Sequence, residues 1–266
     1  MGMNVQHPTS NVQRPTAAAL RAMKQRGERI AVLTAYDYPT ARLLDESGVD
    51  VLLVGDSLGM VVLGYPDTTH VTMDEMLHHT RAVARGAQRA MIWADLPIAS
   101  YDTPAQAVDN ARRLVDAGAH AVKLEGGRSH VAQIEALVAA GIPAMAHIGM
   151  MPQSVKIEGG YRIKGKTAEQ AESLLADALA VEAAGSFALL LELVVPAVAQ
   201  TISQRLAIPT IGIGSGSGCD GQVLVTHDLI GLFPWFTPKF VKPHAQVAEK
   251  IRKAAAAFIG DTKRRE

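Results

Sequence analysis

Cysteine is almost absent from this chain: Cys219 is the one thiol among 266 residues. An internal disulfide is therefore excluded, and the composition suits a reducing compartment, so a cytoplasmic location is expected. Charge of one sign is not in excess either. Lys and Arg total 26, and Asp and Glu total 26, which leaves no electrostatic footprint for nucleic acid or an anionic membrane. No run of 18 or more apolar residues occurs, so no membrane-spanning helix is expected. The opening MGMNVQHPTSNVQRPT lacks the basic-then-apolar order of a signal peptide, and Gln6 stands where a myristoylation motif wants Ser or Thr. HExxH and paired CxxC are missing, which argues against a dedicated zinc site. Low-complexity tracts and long linkers are missing too.

What is present is an alternation of helices and apolar strands. Helices are predicted over 16–27, 39–48, 73–86, 103–118, 130–140, 167–184, 196–207 and 245–258. Strands are predicted over 30–34, 49–57, 90–95, 119–125, 143–148, 187–192 and 209–213, with 228–233 as the eighth. Gly48, Gly118, Gly141 and Gly185 each supply the left-handed residue that ends a helix before a strand begins. The strands are nearly continuous apolar runs, which means that both faces are covered. Strands alternating with helices argue a parallel sheet. About eight such units in this length predict a single (β/α)8 barrel over 16–266, preceded by a flexible arm at 1–15, with an open doubly wound sheet as the alternative. The core is large enough to need no disulfide or metal staple. The longest irregular segment, 149–166, reads equally as an active-site lid or as a subunit contact.

The strand ends carry the chemistry. The stretch VLLVGDSLG delivers Asp56 and Ser57 into a tight turn, and later strands end in Asp95, Lys123 with Glu125, His147 and Glu192. In a closed barrel these ends meet at one mouth. Each group also has a plain structural reading. Asp95 before Leu96-Pro97 would be a turn acceptor, and Asp56-Ser57 a cap for the next turn. His147 would be a core histidine, and Lys123 with Glu125, two apart on one strand face, a structural ion pair. Four carboxylates and a lysine at successive strand ends favour a site, because uncompensated buried charge is so costly. Such oxygen-rich ligands suit a hard cation, Mg²⁺ or another divalent ion. A 2-oxo acid could chelate that ion through its carboxylate and keto oxygen. The metal would stabilise an enolate, and Glu192 could remove the proton next to the carbonyl. The glycine-rich GIGSGSGCDGQ (212–222) fits neither a dinucleotide fingerprint nor a nucleophile elbow, and reads as a packing turn or an anion-binding loop.

From LTAYDYPTA to PKFVK, through VGDSLGMVVLG, ADLPIASY, AVKLEGG, HIGMMPQSV, GGYRIKGKT and IGIGSGSGCDGQVLV, the chain resembles the ketopantoate hydroxymethyltransferase family of the phosphoenolpyruvate/pyruvate-binding barrels. The resemblance implies transfer of a one-carbon unit from 5,10-methylenetetrahydrofolate to 3-methyl-2-oxobutanoate in pantothenate biosynthesis. It implies that Asp56 and Asp95 are Mg²⁺ ligands, that Glu125 lies beside the metal, and that Asp56, Ser57, Asp95 and Lys123 meet the oxo acid. Glu192 takes the place of the catalytic base, with Tyr36 and His147 at the site's edge. Leu193, where the family often has Cys, and Gly214-Ser215-Gly216, where it often has GAG, are departures that remove no charged group. A cytoplasmic homo-oligomer, often a decamer, is also implied. The alternative is another Mg²⁺-dependent 2-oxo-acid lyase or aldolase on the same barrel.

Overall fold

The structure, a computed structural model, describes residues 14–264. Thr16 accepts a hydrogen bond from Ala19 N and so caps α1 (Ala17–Gln25). The chain then alternates β1 (Ile30–Thr34), α2 (Tyr38–Glu46), β2 (Val51–Val54), a short α3 (Leu58–Val61), α4 (Met73–Gly86) and β3 (Met91–Asp95). It continues with α5 (Pro104–Asp116), β4 (Ala121–Glu125), α6 (Val131–Ala139), β5 (Ala144–Gly149) and a short α7 (Val155–Glu158). The last part runs α8 (Ala168–Ala183), β6 (Ala188–Glu192), α9 (Pro196–Arg205), β7 (Thr210–Ile213), β8 (Gly221–Leu224), α10 (Thr226–Leu229) and α11 (Val247–Lys263). The eight strands are parallel and close in sequence order, β8 pairing back onto β1. The barrel is therefore as predicted.

Side-chain parity divides the interior in two. Leu52, Val54, Ile92, Ala94, Val122, Leu124, Ala146, Leu189 and Leu191 point outward into the layer between sheet and helices. Their neighbours Val32, Leu53, Met91, Trp93, Ala121, Met145, Leu190 and Val223 fill the barrel itself. Leu20 of α1 joins this inner cluster, so α1 closes the end where the strands start. Lys24 fastens it there, with Nζ 2.8 Å from Ser203 O, 3.0 Å from Ile208 O and 2.9 Å from Asp220 Oδ2.

Two expectations are corrected. The eighth strand is Gly221–Leu224, and the apolar run at 228–233 instead belongs to α10 and the turn after it. β8 escapes a search for apolar runs because Gln222, on its outer face, is exposed, and α11, the next long helix, buries no residue at all. Asp220-Gly221 is accordingly the entry to a strand rather than a turn. The arm predicted at 1–15 lies outside the described residues except for its end. There Arg14 donates to Ala87 O at 2.9 Å and meets His120 Nε2. Among the described residues, no helix is long and apolar enough to cross a membrane.

Candidate active site

The parity that fills the barrel also builds its mouth. Asp95 continues the inward row of Trp93, Lys123 and Glu125 that of Ala121, His147 that of Met145, and Glu192 that of Leu190. These five therefore form the next layer up, at the C-terminal ends of β3 to β6, where barrel sites lie. Asp56 and Ser57 arrive beyond β2, on a turn opened by Gly55. A Cβ on Gly55 would stand 2.9 Å from Ser57 Oγ and 3.6 Å from Asp95 Oδ2, so a side chain there would push the serine hydroxyl out of its present place. Gly149 likewise permits a close approach. Its φ is +98°, and a Cβ there would lie 2.3 Å from Glu192 O.

Asp56, Ser57, Asp95, Lys123, Glu125, His147 and Glu192 line one cavity of about 850 Å³. All but Ser57 and Glu192 are buried. Lys123 Nζ lies 3.1 Å from Asp95 Oδ2, whose same oxygen accepts from Asp56 N at 3.0 Å. The lysine's partner is thus on the neighbouring strand, where the register sets Asp95 beside Lys123, rather than Glu125 two residues on. Ser57 makes no capping bond. Its Oγ meets the buried Tyr36 hydroxyl at 2.8 Å, which puts Tyr36 behind the cavity wall. His147 stands between two carboxylates, 3.5 Å from Glu125 Oε1 and 3.4 Å from Glu192 Oε2. Neither contact is aligned as a hydrogen bond. The Gly214 to Gly218 loop serves packing: Ser215 Oγ accepts from Val194 N at 3.0 Å and donates to Leu191 O at 2.8 Å, stapling it to β6. Leu193, just after Glu192, holds a left-handed backbone at φ +49°. It is kept there by Leu193 N donating to Ile213 O and Lys164 N donating to Leu193 O.

Gln153, within the long irregular segment, is a site residue that the sequence reading did not single out, although it lies in HIGMMPQSV. Its Nε2 donates to Asp56 Oδ2 at 2.8 Å and to Leu96 O at 3.0 Å, while its backbone N donates to Glu125 Oε2 at 3.0 Å. Its Oε1 accepts from the Tyr101 hydroxyl. One buried residue therefore holds two carboxylates, Asp56 beyond β2 through its side-chain amide and Glu125 of β4 through its backbone N–H. The same loop brings Pro152, Tyr161 and Ile163 to the cavity wall. Asp228, read from sequence as the start of a strand, also lines the cavity, as do Phe233, Phe236 and Phe240.

The electrostatics are unbalanced. Four carboxylates face one ammonium, so the floor carries an excess of negative charge. Burial pushes Asp56 and Asp95 up to about 6, with the Lys123 charge opposing the rise. Burial pushes Glu125 and Glu192 up to about 8, and for Glu192 the Glu125 charge adds to it. Burial works against the Lys123 charge, yet Asp95, Asp56 and Glu125 outweigh it and hold the ammonium above its ordinary value. Burial and Lys123 hold His147 well below its own, so the ring is neutral and carries one N–H only. Asp95 Oδ1 and Glu125 Oε1 are buried acceptors without a partner. Such a set suits a hard cation, which would neutralise the charge and occupy the orphaned oxygens. No three groups among the described residues enclose a metal ion by themselves. A cation here would therefore be held by one or two carboxylates and completed by small-molecule oxygens, as Mg²⁺ commonly is.

A family profile described as ketopantoate hydroxymethyltransferase matches residues 14–266. The chain is 54% identical over 250 residues to the 3-methyl-2-oxobutanoate hydroxymethyltransferase of Acetivibrio thermocellus, covering 93% of this chain and 88% of the relative. It is 56% identical over 238 residues to that of Moorella thermoacetica, covering 89% and 88%. Among solved structures, the phosphoenolpyruvate phosphomutase of Streptomyces platensis subsp. rosaceus superposes with a TM-score of 0.66 at 20% identity, over 93% of this chain and 88% of that one. A phosphonopyruvate hydrolase in complex with oxalate and Mg²⁺ gives 0.65 at 16% identity, over the same shares. At these identities the two structures speak to the fold alone.

Proposed function

The chain belongs to the ketopantoate hydroxymethyltransferase family and is a hydroxymethyltransferase for 3-methyl-2-oxobutanoate, and within that activity we propose a Mg²⁺-dependent site in which Glu192 is the base. The observation that carries this reading is the excess negative charge at the cavity floor, with Asp95 Oδ1 and Glu125 Oε1 orphaned. Asp56 and Asp95 would hold the cation directly, and Glu125 would face it through water. Bound there, Mg²⁺ would act as a Lewis acid on the oxo acid's keto oxygen and carboxylate and so raise the acidity of its C3–H. Lys123 and Ser57 meet the anionic end of the oxo acid. Glu192, across the cavity floor, takes the C3 proton. Its raised proton affinity strengthens it as a base, and neutral His147 packs beside it without adding a positive charge that would weaken it.

The one-carbon donor in this proposal is 5,10-methylenetetrahydrofolate. C3 already carries two methyl groups and becomes quaternary on attack, so it keeps no proton with which to expel the carrier nitrogen. Water therefore opens the carrier's C–N bonds first and supplies the hydroxyl oxygen, and the C3 electron pair then forms the C–C bond. The balance is oxo acid, methylene carrier and water giving hydroxymethyl acid and free carrier. A cytoplasmic homo-oligomer, decameric in line with the family resemblance, completes the reading. The exposed Ile251, Phe258 and Ile259 of α11 offer an apolar face for a second copy.

Transfer of 3-methyl-2-oxobutanoate into D₂O tests the reading. With enzyme and Mg²⁺ but no folate, C3–H is expected to exchange, seen by NMR as collapse of the methyl doublet, and chelation of the metal stops it. Absence of exchange with Mg²⁺ present would remove the proposed chemistry. Gln153→Ala frees Asp56 Oδ2 and leaves the Tyr101 hydroxyl only its long contact to Glu125 O at 3.4 Å, so Mg²⁺ affinity is expected to fall about 10- to 100-fold in a direct titration. Unchanged affinity would return Gln153 to a purely structural part.

A further inference from the structure

The cavity is too large for one small acid. At about 850 Å³ it lies in the ~300–1,000 Å³ range of drug-sized ligands, several times what a five-carbon oxo acid fills. Its two ends also differ in chemistry. The floor holds the charged cluster. The outer part is walled by Phe233, Phe236 and Phe240, and Phe236 is 62% and Phe240 41% exposed. Open aromatic rings lining a cavity are suited to a flat ring system, which stacks on them at low entropic cost.

A carboxylate interrupts this apolar wall. Asp228 lines the cavity yet is only 8% exposed. Its carboxylate has no hydrogen bond or ion pair among the described residues, and burial alone pushes it up to about 6. The backbone that carries it is fixed rather than loose. In α10, Thr226 N donates to Thr34 Oγ1 at 3.0 Å, and Thr226 Oγ1 donates to Thr34 O at 2.6 Å. Its oxygens open into the cavity and meet no protein donor among the described residues, so its position points to a ligand that brings the donors.

We propose that the outer cavity seats the 2-amino-4-oxopteridine of the one-carbon carrier, with the Asp228 carboxylate taking its two adjacent N–H groups and the phenylalanine rings covering its face. This rests on the carrier named above being the donor. The pyrimidine edge of such a ring presents N3–H and the 2-amino N–H side by side, the fork that a carboxylate accepts through both oxygens. Lys239 also lines the cavity and is unpaired among the described residues. Exposed as it is, it offers a cation to the carrier's glutamate carboxylates.

The test compares Asp228→Asn with the parent, using tetrahydrofolate and its 2-desamino analogue as probes in calorimetric titration. The parent is expected to bind tetrahydrofolate about 10- to 100-fold more tightly than the analogue, since a site built to hydrogen-bond an N–H rejects a ligand without it. In Asp228→Asn that preference collapses to within about threefold. The loss in carrier-dependent product formation is also expected to exceed any change in carrier-free C3 exchange by about tenfold or more. Phe236→Ala removes an exposed ring, endangers no core packing, and should raise the carrier KM about tenfold. Equal affinity of parent and Asp228→Asn for tetrahydrofolate, or a parent indifferent to the 2-amino group, overturns the assignment of Asp228. A parent that exchanges C3–H but neither binds tetrahydrofolate nor forms product from the methylene carrier overturns the choice of carrier, and this seat with it.

Discussion

Glu192→Gln is expected to lower Mg²⁺-dependent C3 exchange by about 10²- to 10⁴-fold while leaving metal and oxo-acid binding in place. The amide keeps the shape of the side chain and cannot accept the proton. The group it replaces is tuned toward proton capture, since burial and the Glu125 charge push Glu192 up to about 8. Lys123 opposes that rise, and a divalent cation beside it would oppose it further. The sign of the pH effect follows. Below its own value the carboxylate is protonated and idle, so parent exchange should fall about tenfold per pH unit on the acid side. The residual exchange of the variant should lack this limb. Exchange within tenfold of the parent, with the acid limb intact, would assign the base elsewhere.

The second large effect concerns Lys123, the one ammonium among four carboxylates. Lys123→Met retains the apolar stem and removes the charge. Removing one partner of a buried pair typically costs about 3–5 kcal/mol, because the other charge is left uncompensated, and denaturant titration of the metal-free protein should show a loss of that order. The loss should also grow with pH. Asp56 and Asp95 already sit at about 6, above their ordinary range. Without the lysine they rise further, and an acid whose folded value is raised destabilises the fold increasingly as pH climbs above its unfolded value. The variant should therefore be closest to the parent near pH 5 and weakest near pH 8, with Mg²⁺ restoring part of the difference. Oxo-acid KM should rise as well. A loss that does not vary with pH would mean that the pair is a packing feature and not the counter-charge of the floor.

Much of the site was legible because barrel geometry turns sequence position into spatial position. Asp95, Glu125, His147 and Glu192 each close an apolar run, and in parallel strands ending at one rim such residues must meet. The partner of Lys123 was not legible. Sequence spacing offers Glu125, two residues along the same face, whereas the contact is with Asp95, because the β3–β4 register sets that residue alongside. Gln153 was hidden for a related reason. A glutamine in an irregular loop carries no periodic signal, and its grip on Asp56 and Glu125 exists only once the loop folds back over the mouth. β8 was missed because one face of Gly221–Leu224 is not covered, so the strand lacks the apolar run by which the others were found.

The sequence by itself determined the parallel barrel, the turn that carries Asp56 and Ser57, and the strand-end rank of acids, because period and helix-stopping glycines are local properties of the chain. The tertiary structure alone decided which charges pair, which acceptors stay orphaned, and that Asp228 is buried in the cavity without a partner. Those outcomes depend on register, loop return and burial, which arise only when distant segments close on one another.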